Sequence, residues 1–145
     1  MTVIAWDGKT LAADKRTCSG TLIGVTTKIR RLRGHLCGVT GQLDFGEQMF
    51  AWFDAGADPE GFPQSQRDKD DWAGLVAIDL SGRILRYERT PYPLVVEQQK
   101  AAWGSGRDFA LCAMVRFGVS AREAVEIASM FDCGCGNGVD ELTLA

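Results

Sequence analysis

The sequence predicts an α+β domain of short antiparallel strands, with helices on the outer faces of stacked sheets. Short β-branched or apolar runs are broken at close intervals by glycine and turn dipeptides, and only three stretches carry a helical period. The order is strands, helix, strands, two helices, strand, without internal repeat, which suits helices layered outside sheets.

Val3 to Trp6 and Leu11 to Ala13 flank Asp7-Gly8, a strong hairpin dipeptide, so the chain opens on a β-hairpin. Thr21 to Gly24, Thr27 to Leu32 and Leu36 to Thr40 are strands bounded by Gly24, Gly34 and Gly41. From Leu43 to Ala55 the period changes, with Phe45, Met49, Trp52 and Phe53 on one helical stripe. Gly56 to Asp71 carries two prolines and two glycines among charges and reads as an exposed loop, with a single turn begun at Pro63. Trp72 to Asp79, the turn Leu80-Ser81-Gly82 and Arg83 to Glu88 form a second hairpin, followed by a strand at Leu94 to Glu97. Gly106 to Phe117 is a helix expected to turn Phe109, Cys112, Ala113 and Phe117 inward. Ser120-Ala-Arg-Glu123 is a capping box opening a helix whose inward positions are Ala124, Ile127, Ala128 and Phe131. Gly134, Gly136 and Gly138 stop that helix, and Val139 to Leu144 closes the chain as a strand.

The composition bounds the function. The 145 residues are 46% hydrophobic and 24% charged, the balance of one globular domain spanning 1–145. Sixteen Lys and Arg against nineteen Asp and Glu leave a net charge of −3, which argues against a general nucleic-acid binder. The longest apolar runs fall far short of the roughly 20 residues that span a bilayer. Five cysteines without paired spacing, and no basic stretch with a long apolar run at the N-terminus, point to a reducing cytoplasm. Cys133-Gly-Cys135 lacks a partner pair at zinc spacing, so no metal is expected.

The single histidine, His35, has no placed partner and reads as a packing residue; GxSxG, HExxH and phosphate-loop motifs are absent. What remains is the N-terminus. Met1 is followed by a small residue, Thr2, which would become residue one if the initiator were removed. A terminal threonine holds a hydroxyl nucleophile and its own amine, whose reference pKa of about 7.7–8.0 lets it serve as a base without histidine. Such a nucleophile needs a nearby cation, a carboxylate to orient it, and an N–H for the oxyanion.

Four segments stand around that N-terminus in sequence: Thr2-Val-Ile-Ala-Trp-Asp-Gly, Leu11-Ala-Ala-Asp14-Lys-Arg16-Thr17, Lys28-Ile-Arg-Arg-Leu32, and Cys37-Gly-Val-Thr-Gly41-Gln-Leu-Asp44. Together they resemble the N-terminal half of proteasome β subunits and the bacterial HslV peptidase. The resemblance implies that Asp14 is the acid beside the nucleophile, Lys28 the active-site lysine, and Gly41 the oxyanion glycine. Arg16 matches the basic residue two after the acid. Trp103-Gly-Ser105-Gly106 looks like the family's Gly-Ser-Gly turn, where the serine supports the terminal amine. Asp132-Cys-Gly-Cys135-Gly-Asn-Gly-Val139 looks like its Asp-x-x-Ser-Gly-Gly-x-Val, with Asp132 the supporting acid and Cys135 in place of a serine. A thiol donates poorly, so that end of the network is weakened.

The resemblance implies the four-layer α/β/β/α sandwich of N-terminal-nucleophile (Ntn) hydrolases, with two antiparallel sheets and a reduced first helical layer, since Gly56 to Asp71 is too broken for the family's second helix. It implies a threonine-type endopeptidase in a homo-oligomeric ring, acting on peptides or unfolded polypeptides without cofactor, with an ATP-dependent unfoldase as possible partner. Thr17 to Thr21 is the expected substrate-pairing edge, with Cys18 near the first specificity pocket. The basic cluster Lys28, Arg30, Arg31 and Arg33 has a solvated strand edge and a nucleic-acid patch as its competing readings. Two other functions stay open: a non-catalytic ring or scaffold subunit that retains Met1, and a small-amide hydrolase using the same nucleophile.

Overall fold

A computed structural model describes residues 1–64 and 72–144. They form two compact units, one of residues 1–29 with 98–145 and the other of residues 30–97.

The first unit opens on the expected hairpin. Strands β1 (Ile4–Trp6) and β2 (Thr10–Asp14) pair antiparallel, with Ala5 opposite Ala12. Asp7 fixes the turn: its Oδ1 accepts from the Lys9 and Thr10 amides at 3.0 and 2.8 Å. A further pair, β3 (Arg16–Ser19) with β4 (Leu22–Val25), forms a separate two-stranded ribbon. Gly20 and Thr21 make its turn, so this strand begins at Leu22 rather than Thr21. Gly20 has φ +61°, the left-handed backbone that tight hairpin turns favour at their first central position.

In the second unit, β5 (Ile29–Leu32), β6 (His35–Gly41), β7 (Ala73–Ile78), β8 (Ile84–Tyr87) and β9 (Leu94–Val96) form one sheet in chain order. Helix α1 (Leu43–Asp54) lies on it, burying Met49, Phe50, Trp52 and Phe53 against Cys37, Val39, Leu75 and Tyr87. Gly46 permits the close approach, because a Cβ there would stand 2.9 Å from Val39. Trp52 meets Phe62 and Tyr87 edge-on at 5.0 and 5.1 Å, and its indole N–H donates to the Asp58 carbonyl. His35 is a packing residue, edge-on to Phe53 at 5.1 Å. The loop after α1 contains a short 3-10 turn, Pro59–Gly61; the turn expected from Pro63 extends over residues 65–71, which lie outside the described residues.

The first unit closes with β10 (Ala101–Trp103), α2 (Arg107–Phe117), α3 (Ala121–Phe131) and β11 (Val139–Thr143). Its main sheet has the order β10-β1-β2-β11. Ser120 caps α3 by accepting from the Glu123 amide, while Asp7 Oδ2 accepts from the Ala121 amide at 2.9 Å and ties the first hairpin turn to that helix start.

Ala113, Ala124 and Ala128 turn inward as expected, but the other inward positions differ. Ala110, Ala113 and Met114 of α2, with Ala121, Ala124, Val125 and Ala128 of α3, pack on Val3, Ala5 and Ala12. Phe109, Cys112 and Phe117 are exposed instead, as is Phe131, and Ile127 is only half-buried. The physical reason is size: two alanine-lined helices sit low on an alanine-lined sheet, leaving no depth for phenylalanine. Phe109 and Phe131 stack on each other at 5.4 Å on the outer side. Met114→Ala should therefore cost about 2–5 kcal/mol, and Phe117→Ala less than about 0.5 kcal/mol, in urea unfolding. The reverse order would restore the face expected from the sequence.

Candidate active site

The site is built from the first unit's strand ends and loops. Thr2 lies one residue before the hydrogen-bonded start of the hairpin and is 1% exposed. The turn between β10 and α2 clamps its backbone. Its amide donates to Ser105 Oγ at 3.2 Å, and its carbonyl accepts from the Gly106 amide at 3.1 Å and Ser105 Oγ at 3.4 Å. Gly104 permits this clamp: its φ is +94°, and a Cβ would collide with the Thr2 carbonyl.

Asp14 ends β2 with a carboxylate of zero exposure. Its Oδ1 accepts from the Val3 amide at 3.0 Å and Lys28 Nζ at 2.8 Å. Its Oδ2 accepts from the Arg16 and Gly136 amides, both at 3.1 Å. Lys28, just before β5, is also fully buried, and its second partner is the Met1 carbonyl at 3.3 Å. That carbonyl also accepts from Thr2 Oγ1 at 2.7 Å. The threonine hydroxyl and the lysine ammonium thus converge on one carbonyl oxygen, and the ammonium is held by a carboxylate whose oxygens each accept two donors. A buried ion pair is tolerable only when its hydrogen-bonding capacity is filled in this way.

The loop after α3 contributes the remaining groups. Asp132 Oδ1 accepts from the Gly134 amide at 2.8 Å. Burial alone would raise the Asp132 pKa, but the Ser105 hydroxyl, the Gly134 amide, the Cys135 thiol and the positive chain terminus outweigh it and hold the carboxyl below its ordinary range. Cys135 is 1% exposed, with Sγ 3.9 Å from Ser105 Oγ. Burial first, then the Asp14 and Asp132 charges, push its pKa up to about 12, so it is a neutral thiol at ordinary pH.

Thr2, Asp14, Lys28 and Ser105 therefore stand in one hydrogen-bonded cluster, and Asp132 joins through Ser105. Thr17 and Cys18 lie on β3, half-buried and exposed respectively, and Thr21 occupies the exposed turn beyond that strand's end. Gly41 belongs to the other unit, at the end of β6 opposite Ala73. Its φ is +91°, and a Cβ would stand 2.6 Å from the Trp72 carbonyl oxygen, so no other residue fits. Two features escaped the sequence reading. The Gly136 amide is a ligand of Asp14, and Arg16 pins the same loop by donating to Asn137 Oδ1 and the Cys133 carbonyl, both at 2.7 Å. The dense glycines of 134–138 were the available signal.

No family model matches the chain, and no curated protein matches it in sequence. Solved structures do. BPH from Thiobacillus denitrificans in complex with epoxomicin superimposes with a TM-score of 0.76 at 19% identity, covering 100% of both chains. A second structure of that BPH gives 0.72 at 19% identity over 100% of this chain and 99% of that one. HslV from Trypanosoma brucei gives 0.70 at 18% identity over 97% of each. The chain thus shares the mixed α+β fold of these solved structures along its length.

Burial also shields Cys37, whose pKa is likewise pushed up to about 12, chiefly by desolvation. At pH 8 a thiol reagent should label Cys18, Cys112 and Cys133, leaving Cys37 and Cys135 until the protein unfolds. Unfolded thiols ionise near pH 8.5. Between about pH 9 and 12 the native state accordingly holds more protons, and stability should fall as pH rises through that window. Rapid labelling of all five thiols in the native protein would contradict the burial.

Proposed function

We propose that this protein is a threonine-type endopeptidase whose nucleophile is Thr2 once Met1 has been removed. The observation that carries this is the convergence of Thr2 Oγ1 and Lys28 Nζ, at 2.7 and 3.3 Å, on the Met1 carbonyl, with Lys28 held by buried Asp14. A buried cation beside a hydroxyl lowers the cost of forming an alkoxide there.

Thr2 Oγ attacks the scissile carbonyl while its proton passes to the Thr2 amine. The family resemblance assigns stabilisation of the tetrahedral oxyanion to the Gly41 N–H. Collapse breaks the C–N bond, and the proton on the Thr2 amine goes to the leaving amine, leaving an ester on Thr2. Water attacks the ester with the amine again as base, releasing the acid and restoring the hydroxyl. Lys28 lowers the amine pKa electrostatically, Asp14 fixes Lys28, and Ser105 with Asp132 orients the amine. The edge of β3 takes an extended peptide by strand addition, with Thr17, Cys18 and Thr21 along that edge. The four-layer sandwich, the single domain over 1–145, a homo-oligomeric ring and an ATP-dependent unfoldase that supplies unfolded chains belong to this reading through the family resemblance.

A non-catalytic subunit is the second reading. While Met1 is present the Thr2 nitrogen is an amide that donates to Ser105 and cannot act as a base. Intact mass before and after a peptide epoxyketone separates the two readings, since that reagent needs both a hydroxyl and an adjacent free amine. The proposal expects a chain without Met1 that gains one inhibitor mass on Thr2. It expects Thr2→Ala to lose peptide hydrolysis at unchanged assembly size and Thr2→Ser to keep part of it. A chain that retains Met1 and stays unmodified, or undiminished hydrolysis by Thr2→Ala, would overturn it.

A further inference from the structure

The second unit contains a buried cation whose hydrogen-bonding capacity is unfilled. Arg86, in β8 opposite Val76 of β7 and Leu94 of β9, is 8% exposed. Its Nη2 donates to Thr40 Oγ1 at 3.0 Å. The Glu88 carboxylate forms an ion pair with Nε at 3.6 Å, beyond hydrogen-bonding distance, and neither Nε nor Nη1 has a hydrogen-bond partner among the described residues. Gly74 makes room for the group, since a Cβ there would collide with the guanidinium. A guanidinium stays charged at any ordinary pH and carries five donors. Leaving buried donors of a charged group unmade is costly, and native structures rarely do so without an ion, water or ligand to fill them.

Arg86 also lines a cavity of about 260 Å³ with Glu88, Arg89, Thr90, Tyr92 and Leu94. Arg86 supplies the unfilled donors, and Glu88 sets a carboxylate on the same lining. That suits a monoanion better than a dianion, which would meet the Glu88 carboxylate as a like charge. Tyr92 and Leu94, exposed at 71% and 64%, give it an apolar side. We propose that this cavity binds a small organic monocarboxylate, its oxygens taking the unpartnered Arg86 donors and its short apolar tail lying against Tyr92 and Leu94. A planar carboxylate matches the guanidinium fork, and such charge-assisted pairs are the stronger hydrogen bonds of proteins.

Isothermal titration calorimetry on the full chain with acetate, butyrate and inorganic phosphate, at constant ionic strength set with sodium chloride, tests this. Saturable binding is expected, butyrate tighter than acetate and phosphate weakest. Arg86→Gln should weaken butyrate at least tenfold, while Tyr92→Ala, at an exposed position, should reduce butyrate's advantage and leave acetate unchanged. Should Arg86→Gln fail to fold, the wild-type protein alone decides: its melting midpoint must rise with butyrate and saturate as ligand linkage requires. Absence of saturable carboxylate binding, phosphate binding tighter than acetate, or an unchanged butyrate affinity in a folded Arg86→Gln would overturn the proposal.

Discussion

The Asp14 carboxylate is the point on which the first unit's functional geometry depends. Its two oxygens accept from four donors drawn from four parts of the chain: the Val3 amide entering β1, the Arg16 amide opening β3, the Lys28 ammonium, and the Gly136 amide of the loop after α3. No single segment supplies more than one. With zero exposure, the carboxylate has no water to replace a missing partner, and loss of one side of such an ion pair costs about 3–5 kcal/mol. The same contacts that stabilise the fold hold Lys28 at the Met1 carbonyl and Thr2 beneath it.

Small residues make that convergence sterically possible. Alanines on β1, β2, α2 and α3 let two helices approach the sheet closely, bringing the start of α2, with Ser105 and Gly106, up to the Thr2 backbone. Gly104 removes the one side-chain atom that would separate them. The cost of this shallow core is less apolar area per helix, offset by capping: Asp7 and Ser120 satisfy the Ala121 and Glu123 amides in the first turn of α3. Gly74 plays a comparable part in the second unit, where its missing Cβ makes the space that Arg86 fills.

Much of this was legible in the residues, for identifiable reasons. The Asp7-Gly8 hairpin and the Ser120 cap are local patterns whose chemistry needs only neighbouring residues, and both form where expected. The α1 stripe was legible because large apolar side chains alternate there with charges. In α2 the same reasoning placed Ala113 correctly but failed at Phe109 and Phe117: they outweigh Ala110 in hydrophobicity, yet the tertiary requirement for closeness selected the small residue. The three-residue strand β10 was too short to carry a period. Asp14, Lys28 and Ser105 were identified by family resemblance, and the structure sets them in one cluster with Thr2. The Gly136 amide could not be read from side-chain chemistry, because the backbone supplies it.

The central claim is that a buried lysine fixed by Asp14 makes the Thr2 amine a base at neutral pH. The most direct measurement is a pH titration of the Thr2 13Cα and 13Cβ resonances in the native, selectively labelled protein. The account predicts a midpoint below the 7.7–8.0 of a free α-amine. A midpoint within or above that range, or no titration because the Thr2 nitrogen is still an amide, would contradict it.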